Sequence, residues 1–202
     1  MDPDYFLRPS RYVFFIHTVW WAAFLLGRAR LLMQGQAAAA SAPRHDDGPV
    51  HAPFAAPLVR AHVVSIVGLY PALWVVTTGV PGPSAVQAAV ASAVLALGAL
   101  LASWALAVFR SYRLQATLEP GHELCTAGPF RWIRHPIYVA FGLLGLGTAI
   151  WTNAPAIWGI AGLLWLIADL RGRSEEHLLQ QTFGERYRAY MDRTARLLPG
   201  VY

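Results

Sequence analysis

Residues Thr126–Phe141 read T-A-G-P-F-R-W-I-R-H-P-I-Y-V-A-F, a charged island between apolar runs. Arg131, Arg134 and His135 stand there among four aromatic residues and two glycine/proline breaks. Ionisable groups so close to hydrophobic segments are costly, and by default they mark a functional site. The plainer alternative is an anchor, in which arginines at a helix end meet lipid headgroups. The flanking sequence decides both the fold and the choice between these readings.

Across 202 residues, 56% are hydrophobic and only 13% charged, which overrides a soluble-domain prior and points to an all-α membrane bundle. The net charge of +5 arises from sixteen arginines without a lysine. Membrane proteins hold such an excess in cytoplasmic loops, and no interleaving of basic and aromatic residues marks a nucleic-acid surface. The missing lysine and the abundant alanine suggest a GC-rich bacterial genome, and hence an inner-membrane protein. Cys125 is the single cysteine, so an internal disulfide or cysteine-based zinc cluster is excluded. Without a visible activating base, it reads as a small gap-filling residue. No small-residue cleavage site follows the first apolar run, so the N-terminus does not read as a cleaved signal peptide.

Five apolar runs are expected to span or enter the bilayer: Tyr12–Leu32, Leu58–Val80, Ala85–Phe109, Ile137–Trp151 and Ala154–Leu170. His17 in the first reads as a satisfied structural group. Met33–Pro57 reads as a polar linker, where His45 and His51 flank Asp46 and Asp47 without fixed metal-site geometry. Pro71 predicts a kink in the second run. Gly98, Ala99, Ala102 and Ser103 give the third a small face for close helix approach. The break at Thr152, Asn153 and Pro155 makes the last two runs a helical hairpin. Arginines cluster between runs one and two, between three and four, and after five, which places the C-terminus and the opening stretch together on the cytoplasmic side. Residues 1–113 would hold the N-terminal spans with linker 33–57, and residues 114–202 the functional core.

After the fifth run the chain reads R-G-R-S-E-E-H-L-L, with Arg171, Glu175 and Leu178 sharing a helix face. Phe183, Tyr187 and Tyr190 continue an amphipathic stripe expected along the headgroups. Glu175 and Glu176 could be a solvated charged face. Directly after a membrane span, however, an acidic pair gains nothing from an anionic leaflet and calls for a cationic partner. Arg131, Arg134 and His135 thus supply a basic half, Glu175 and Glu176 an acidic half, and Phe130, Trp132 and Tyr138 the aromatic faces between. A zwitterion with a carboxylate, an ammonium and an aromatic base finds a counterpart for each group.

The order G-P-F-R-W-I-R-H-P-I-Y, a hairpin, R-x-x-x-E-E-x-x-L, F-G-x-x-Y-x-x-Y and a closing R-x-x-P resembles the isoprenylcysteine carboxyl methyltransferases and the related phospholipid methyltransferases. The likeness covers about Leu124–Pro199. It implies an integral membrane bundle of about five transmembrane helices with a C-terminal hairpin and an amphipathic cytoplasmic tail helix. It further implies S-adenosylmethionine as cofactor and a lipophilic small molecule or membrane lipid as methyl acceptor. Carried over, His135, Tyr138, Glu175 and Glu176 contact the cofactor, supported by Arg134 and Arg171, with Gly128 and Phe130 alongside. Glu175, Glu176 and Arg134 are the expected catalytic groups. Where the family often has glycine, Ala140 stands here. Rival readings are an NADPH-dependent membrane reductase of the sterol-reductase type and a non-catalytic protein on the same scaffold. The reductase pattern R-H-P-N-Y-x-G-E is broken here by Ile137 and Phe141.

Overall fold

The computed structural model describes residues 11–39, 50–51, 54–78, 82–109, 117–118 and 124–200. Among these, the chain forms six α-helices: α1 Tyr12–Ala39, α2 Ala55–Thr77, α3 Ala85–Val108, α4 Pro136–Thr152, α5 Pro155–Phe183 and α6 Glu185–Met191. A 3-10 turn covers Gly128–Arg131, and the two-residue strands β1 (Val50–His51) and β2 (Thr117–Leu118) pair antiparallel. Tyr12–Met33, Ala55–Thr77 and Ala85–Val108 are long and apolar enough to cross a bilayer. α4, at 17 residues, is the shorter apolar helix expected from the sequence.

Local chemistry sets the ends. Ser84 caps α3 by accepting from the Gln87 backbone N–H at 3.2 Å. Asn153 takes the left-handed conformation, φ 47°, that closes α4, and Pro155 opens α5 where its missing N–H costs nothing. The hairpin therefore forms as the sequence predicts.

Two boundaries differ. The linker expected from Met33 begins as helix, because α1 continues to Ala39. The fifth run does not end at Leu170; α5 carries straight through the acidic pair to Phe183, since nothing from Arg171 to Gln181 breaks a helix. α2 continues through Pro71. His45, Asp46 and Asp47 lie outside the described residues.

Exposure is inverted relative to a soluble protein. Phe15 (68%), Leu26 (72%) and Leu100 (69%) project outward from the long helices, as a lipid-facing surface requires. The interior forms where α4 packs on α3 and α5. A Cβ at Gly147 would sit 2.6 Å from Leu95, and one at Gly98 would sit 3.1 Å from the Ala140 carbonyl, so the small faces set the helix spacing.

His17 sits in that interior with every polar group satisfied. Thr148 spends its hydroxyl proton on the Leu144 carbonyl at 2.6 Å, so it must accept from His17 Nε2–H at 2.8 Å. His17 Nδ1 is then the acceptor for Tyr70 O–H at 3.1 Å, and Tyr70 accepts from Trp21 Nε1–H. The chain of bonds ties α1 and α2 to α4 and accords with the structural role expected of His17. Thr148→Val would strand a buried N–H, and a stability loss of about 1–3 kcal/mol is expected in thermal unfolding. An unchanged midpoint would break the assignment of protons along this chain.

Candidate functional site

The opening stretch folds as a loop strapped from outside. Gly128 begins it at φ +57°, where a Cβ would also press within 3.0 Å of Trp104 Nε1 and Val108, so only glycine suits the position. Phe130 is buried against Phe109, ring centroids 5.2 Å apart, and its carbonyl accepts from Tyr190 O–H at 2.7 Å. Arg131 and Trp132 face outward, with the Trp132 ring edge-on to Trp104 at 5.9 Å. Ile133 then bridges Ala195 in parallel: Arg134 N donates to Ala195 O at 2.8 Å, Ala195 N to Trp132 O at 3.0 Å, and His135 N to Arg196 O at 3.2 Å. Residues 194–196 thus hold the motif in register against α5.

Tyr187 and Tyr190 overturn the expected headgroup stripe. They are 1% and 3% exposed, because α6 turns back at Gly184 and docks under the loop. The amphipathic pattern was real; its apolar side faces protein.

The charged halves meet in one cluster. Glu176, 2% exposed, accepts from Arg134 Nε at 2.6 Å on one oxygen and from Arg196 Nε at 2.9 Å on the other. Arg134 also donates to the carbonyls of Met191, at 3.1 Å, and Thr194. Arg196 reaches Asp169 at 3.2 Å. His135 stands between the carboxylates, Nδ1 3.4 Å from Glu175 and Nε2 3.4 Å from Glu176; at that range these are charge contacts rather than well-formed hydrogen bonds. Glu175 accepts from Tyr138 O–H and lies 3.9 Å from Arg171. Tyr138 is sandwiched, with His135 stacked on it at 5.4 Å and the Arg171 guanidinium 4.4 Å from its ring centroid. Gly172 permits this closeness, since a Cβ there would stand 3.1 Å from His135 and 3.2 Å from Arg196.

The structure therefore gathers Arg134, His135, Tyr138, Arg171, Glu175 and Glu176 at one end of the bundle. Gly128 and Phe130 shape the loop behind it, and Arg131 points away as an anchor would. Sequence reasoning assigned no role to Arg196, Asp169, Thr194 or His62. Arg196 stands in the quoted R-x-x-P, whereas His62 lies in an apolar run with no motif around it.

Burial pulls the His135 imidazolium down, but the Glu175 and Glu176 carboxylates beside it outweigh that and raise its pKa. Burial likewise pushes both carboxyls up, and the cations outweigh it: His135 first and then Arg171 hold Glu175 low, while His135, Arg196 and Arg134 hold Glu176 at about 2. Cys125 goes the other way, its thiol pushed up by burial, in keeping with a packing role. A raised histidine lends stability that is complete below its ordinary 6.5 and fades as pH climbs through the folded value. A lowered carboxyl lends stability present above its ordinary 4.5 and lost as pH falls toward about 2. Thermal stability is thus expected to peak between pH 4.5 and 6.5 and to decline on both sides. A profile flat through both limbs would show that the cluster does not titrate with folding.

Beside the cluster opens a small cleft between α2 and α5, lined by Ala55, Leu58, Val59, Arg171, Ser174 and Glu175. Arg171 and Glu175 put a cation and an anion on one wall, and α2 supplies an apolar opposite wall. His62, 1% exposed on α2, accepts from Arg171 Nη1 at 3.1 Å through Nδ1.

Such a loop, hairpin and ionic cluster at the end of a membrane bundle define a protein built around a charged site at the edge of the bilayer. The family model for phospholipid methyltransferase matches residues 86–186, half of the chain, and the protein belongs to that family. It is also similar to protein-S-isoprenylcysteine O-methyltransferase B of Arabidopsis thaliana, 33% identical over 84 residues that make up 41% of this chain and 43% of the relative. The human protein-S-isoprenylcysteine O-methyltransferase is 35% identical over 82 residues, 40% of this chain and 28% of the relative. These matches span less than half the length of the curated relatives. Among solved structures, the eukaryotic intramembrane Ras methyltransferase ICMT superposes with a TM-score of 0.53 at 23% identity, over 74% of this chain and 54% of that one. At that identity the likeness establishes a shared fold.

Proposed function

We propose that the protein is an integral membrane methyltransferase that uses S-adenosylmethionine to methylate a lipophilic acceptor at the cytoplasmic face. The observation that carries this is the meeting of the R-H-P-x-Y loop with the Glu175/Glu176 helix beside a cleft of mixed charge and apolar lining. The residues present fit the cofactor by their chemistry. Glu175, whose side chain keeps 20% exposure, suits an ammonium; Arg171 suits a carboxylate, and Tyr138 and the α2 wall suit the aromatic and sulfonium portions. When bound, the cofactor supplies the methyl carbon, which an acceptor attacks in line as the bond to sulfur breaks.

The protein's own groups hold, orient and exclude water. Glu176, clamped by Arg134 and Arg196, fixes the loop and is best described as a positioning residue. The neighbouring carboxylates favour the protonated form of His135, and the cations beside Glu175 and Glu176 favour their ionised, weakly basic forms. The cluster therefore favours an acceptor that arrives already ionised, such as a lipophilic acid, over an ammonium that must first lose a proton. The acceptor enters sideways from the bilayer through the α2/α5 cleft, and the arginine pattern supports a cytoplasmic position for the site and the C-terminus.

Phe141 argues against the reductase reading. It packs against Trp20, Trp21 and Phe24 at 5.2–5.9 Å, a setting that leaves no place for the glutamate of the reductase pattern. Purified protein incubated with methyl-labelled cofactor and extracted lipids is expected to move label into the organic phase. Label that stays wholly aqueous across fatty acids, isoprenoid acids and phospholipids would overturn the proposal.

A further inference from the structure

His62 is buried in α2, outside the matched residues 86–186, and meets the cleft-lining Arg171. The lining residues Ala55, Leu58 and Val59 recur at helical spacing, and His62 continues their face one turn deeper. Its ring meets Phe141 edge-on at 5.2 Å and Tyr138 at 6.1 Å, so apolar and aromatic surface surrounds it.

Its tautomer follows from its partner. A guanidinium has only donors, so the His62 nitrogen that meets Arg171 at 3.1 Å must offer a lone pair, and the ring proton resides on Nε2. That N–H is buried and has no hydrogen-bond partner among the described residues. His17 sits at comparable burial with both nitrogens satisfied, so the fold can complete a membrane-depth histidine when nothing else is to bind there. A buried unpaired donor is destabilising, and a ligand oxygen placed against it recovers the lost hydrogen bond.

We propose that His62 is a specificity-determining residue whose Nε2–H donates to an oxygen on the head of the lipophilic acceptor. This rests on the methyltransferase reading given above. Arg171 serves both sides: it faces the cleft, and it fixes the tautomer that makes His62 a donor. Carboxylate and phosphate heads share the required oxygen; an ammonium head has no lone pair to accept from His62 Nε2–H and leaves that donor unpaired.

The test begins on protein without cofactor, labelled at the histidine ring nitrogens and held in maltoside micelles. Magnetic resonance is expected to show His62 as the Nε2–H tautomer, and hexadecanoic acid is expected to shift that proton while hexadecane and hexadecylamine leave it in place. Hexadecyl phosphate, added separately, tells a phosphate head from a carboxylate; a shift from either supports the role. The Nδ1–H tautomer, or an Nε2–H signal unmoved by both oxygen heads, overturns it. In transfer assays His62→Phe should lower kcat/KM for the oxygen-headed acceptor roughly tenfold or more, with S-adenosylhomocysteine affinity kept, and His62→Gln, which restores an N–H, should recover most of it. Equal loss for every acceptor, or no loss, counts against His62. Failure of wild-type protein to bind S-adenosylhomocysteine would instead sink the methyltransferase reading, and the resonance result would still stand or fall by itself.

Discussion

Glu176→Gln is expected to lower the thermal midpoint by roughly ten degrees, the largest stability effect of any single exchange in the cluster. The carboxylate is 2% exposed and is the common partner of Arg134 and Arg196. Removing its charge leaves Arg134 buried without its carboxylate, Arg196 with Asp169 alone and His135 with Glu175 alone, at the edge of an apolar bundle. Breaking one side of a buried ion pair typically costs about 3–5 kcal/mol, because the surviving charge stays desolvated. Tryptophan fluorescence during heating reads the effect directly. The loss should be accompanied by loosening of residues 194–196, since the Arg134 and Arg196 side chains reinforce the backbone bonds that bind that strap to the loop. Protease cleavage near Thr194 in the variant, and resistance there in the wild type, would report it. A variant as stable as the wild type would mean that the ionic cluster does not hold the loop.

Glu175→Gln should separate from it. Glu175 borders the cleft and keeps part of its side chain exposed, and Glu176 remains to neutralise His135. The midpoint should therefore move by less than half as much as in Glu176→Gln. Affinity for S-adenosylhomocysteine, by contrast, should fall on the order of tenfold to a hundredfold, the worth of a charge-assisted contact to an ammonium. Calorimetric titration of both variants gives the contrast. Full affinity in Glu175→Gln would remove this carboxylate from the proposed cofactor contact.

The hairpin, the long spans and the loop were legible because their signals are local. An apolar run of bilayer length, an Asn–Ala–Pro break and a glycine/proline opening each act within a few residues. The membership of the cluster was legible too, since Arg134, His135 and the acidic pair stand in motifs. Its internal pairing was not. Sequence reasoning opposed the basic and acidic halves across a ligand, whereas Glu176 is claimed by Arg134 and Arg196 within the protein. That outcome depends on the strap at Ala195 lying parallel to Ile133, a contact between distant residues with no periodicity to announce it. Tyr187 and Tyr190 show the same limit. Their spacing fixed an apolar face, but burial under the loop rather than in headgroups turned on the bend at Gly184. His62 was invisible because one histidine in an apolar run carries no pattern; only the Arg171 contact gives it meaning.

The central claim is that the cluster and its cleft serve a sulfonium nucleoside rather than a nicotinamide. Isothermal titration of the purified wild-type protein with S-adenosylhomocysteine and, separately, with NADPH tests it most directly. Saturable binding of S-adenosylhomocysteine and none of NADPH is expected. Binding of NADPH alone, or of neither, would contradict it.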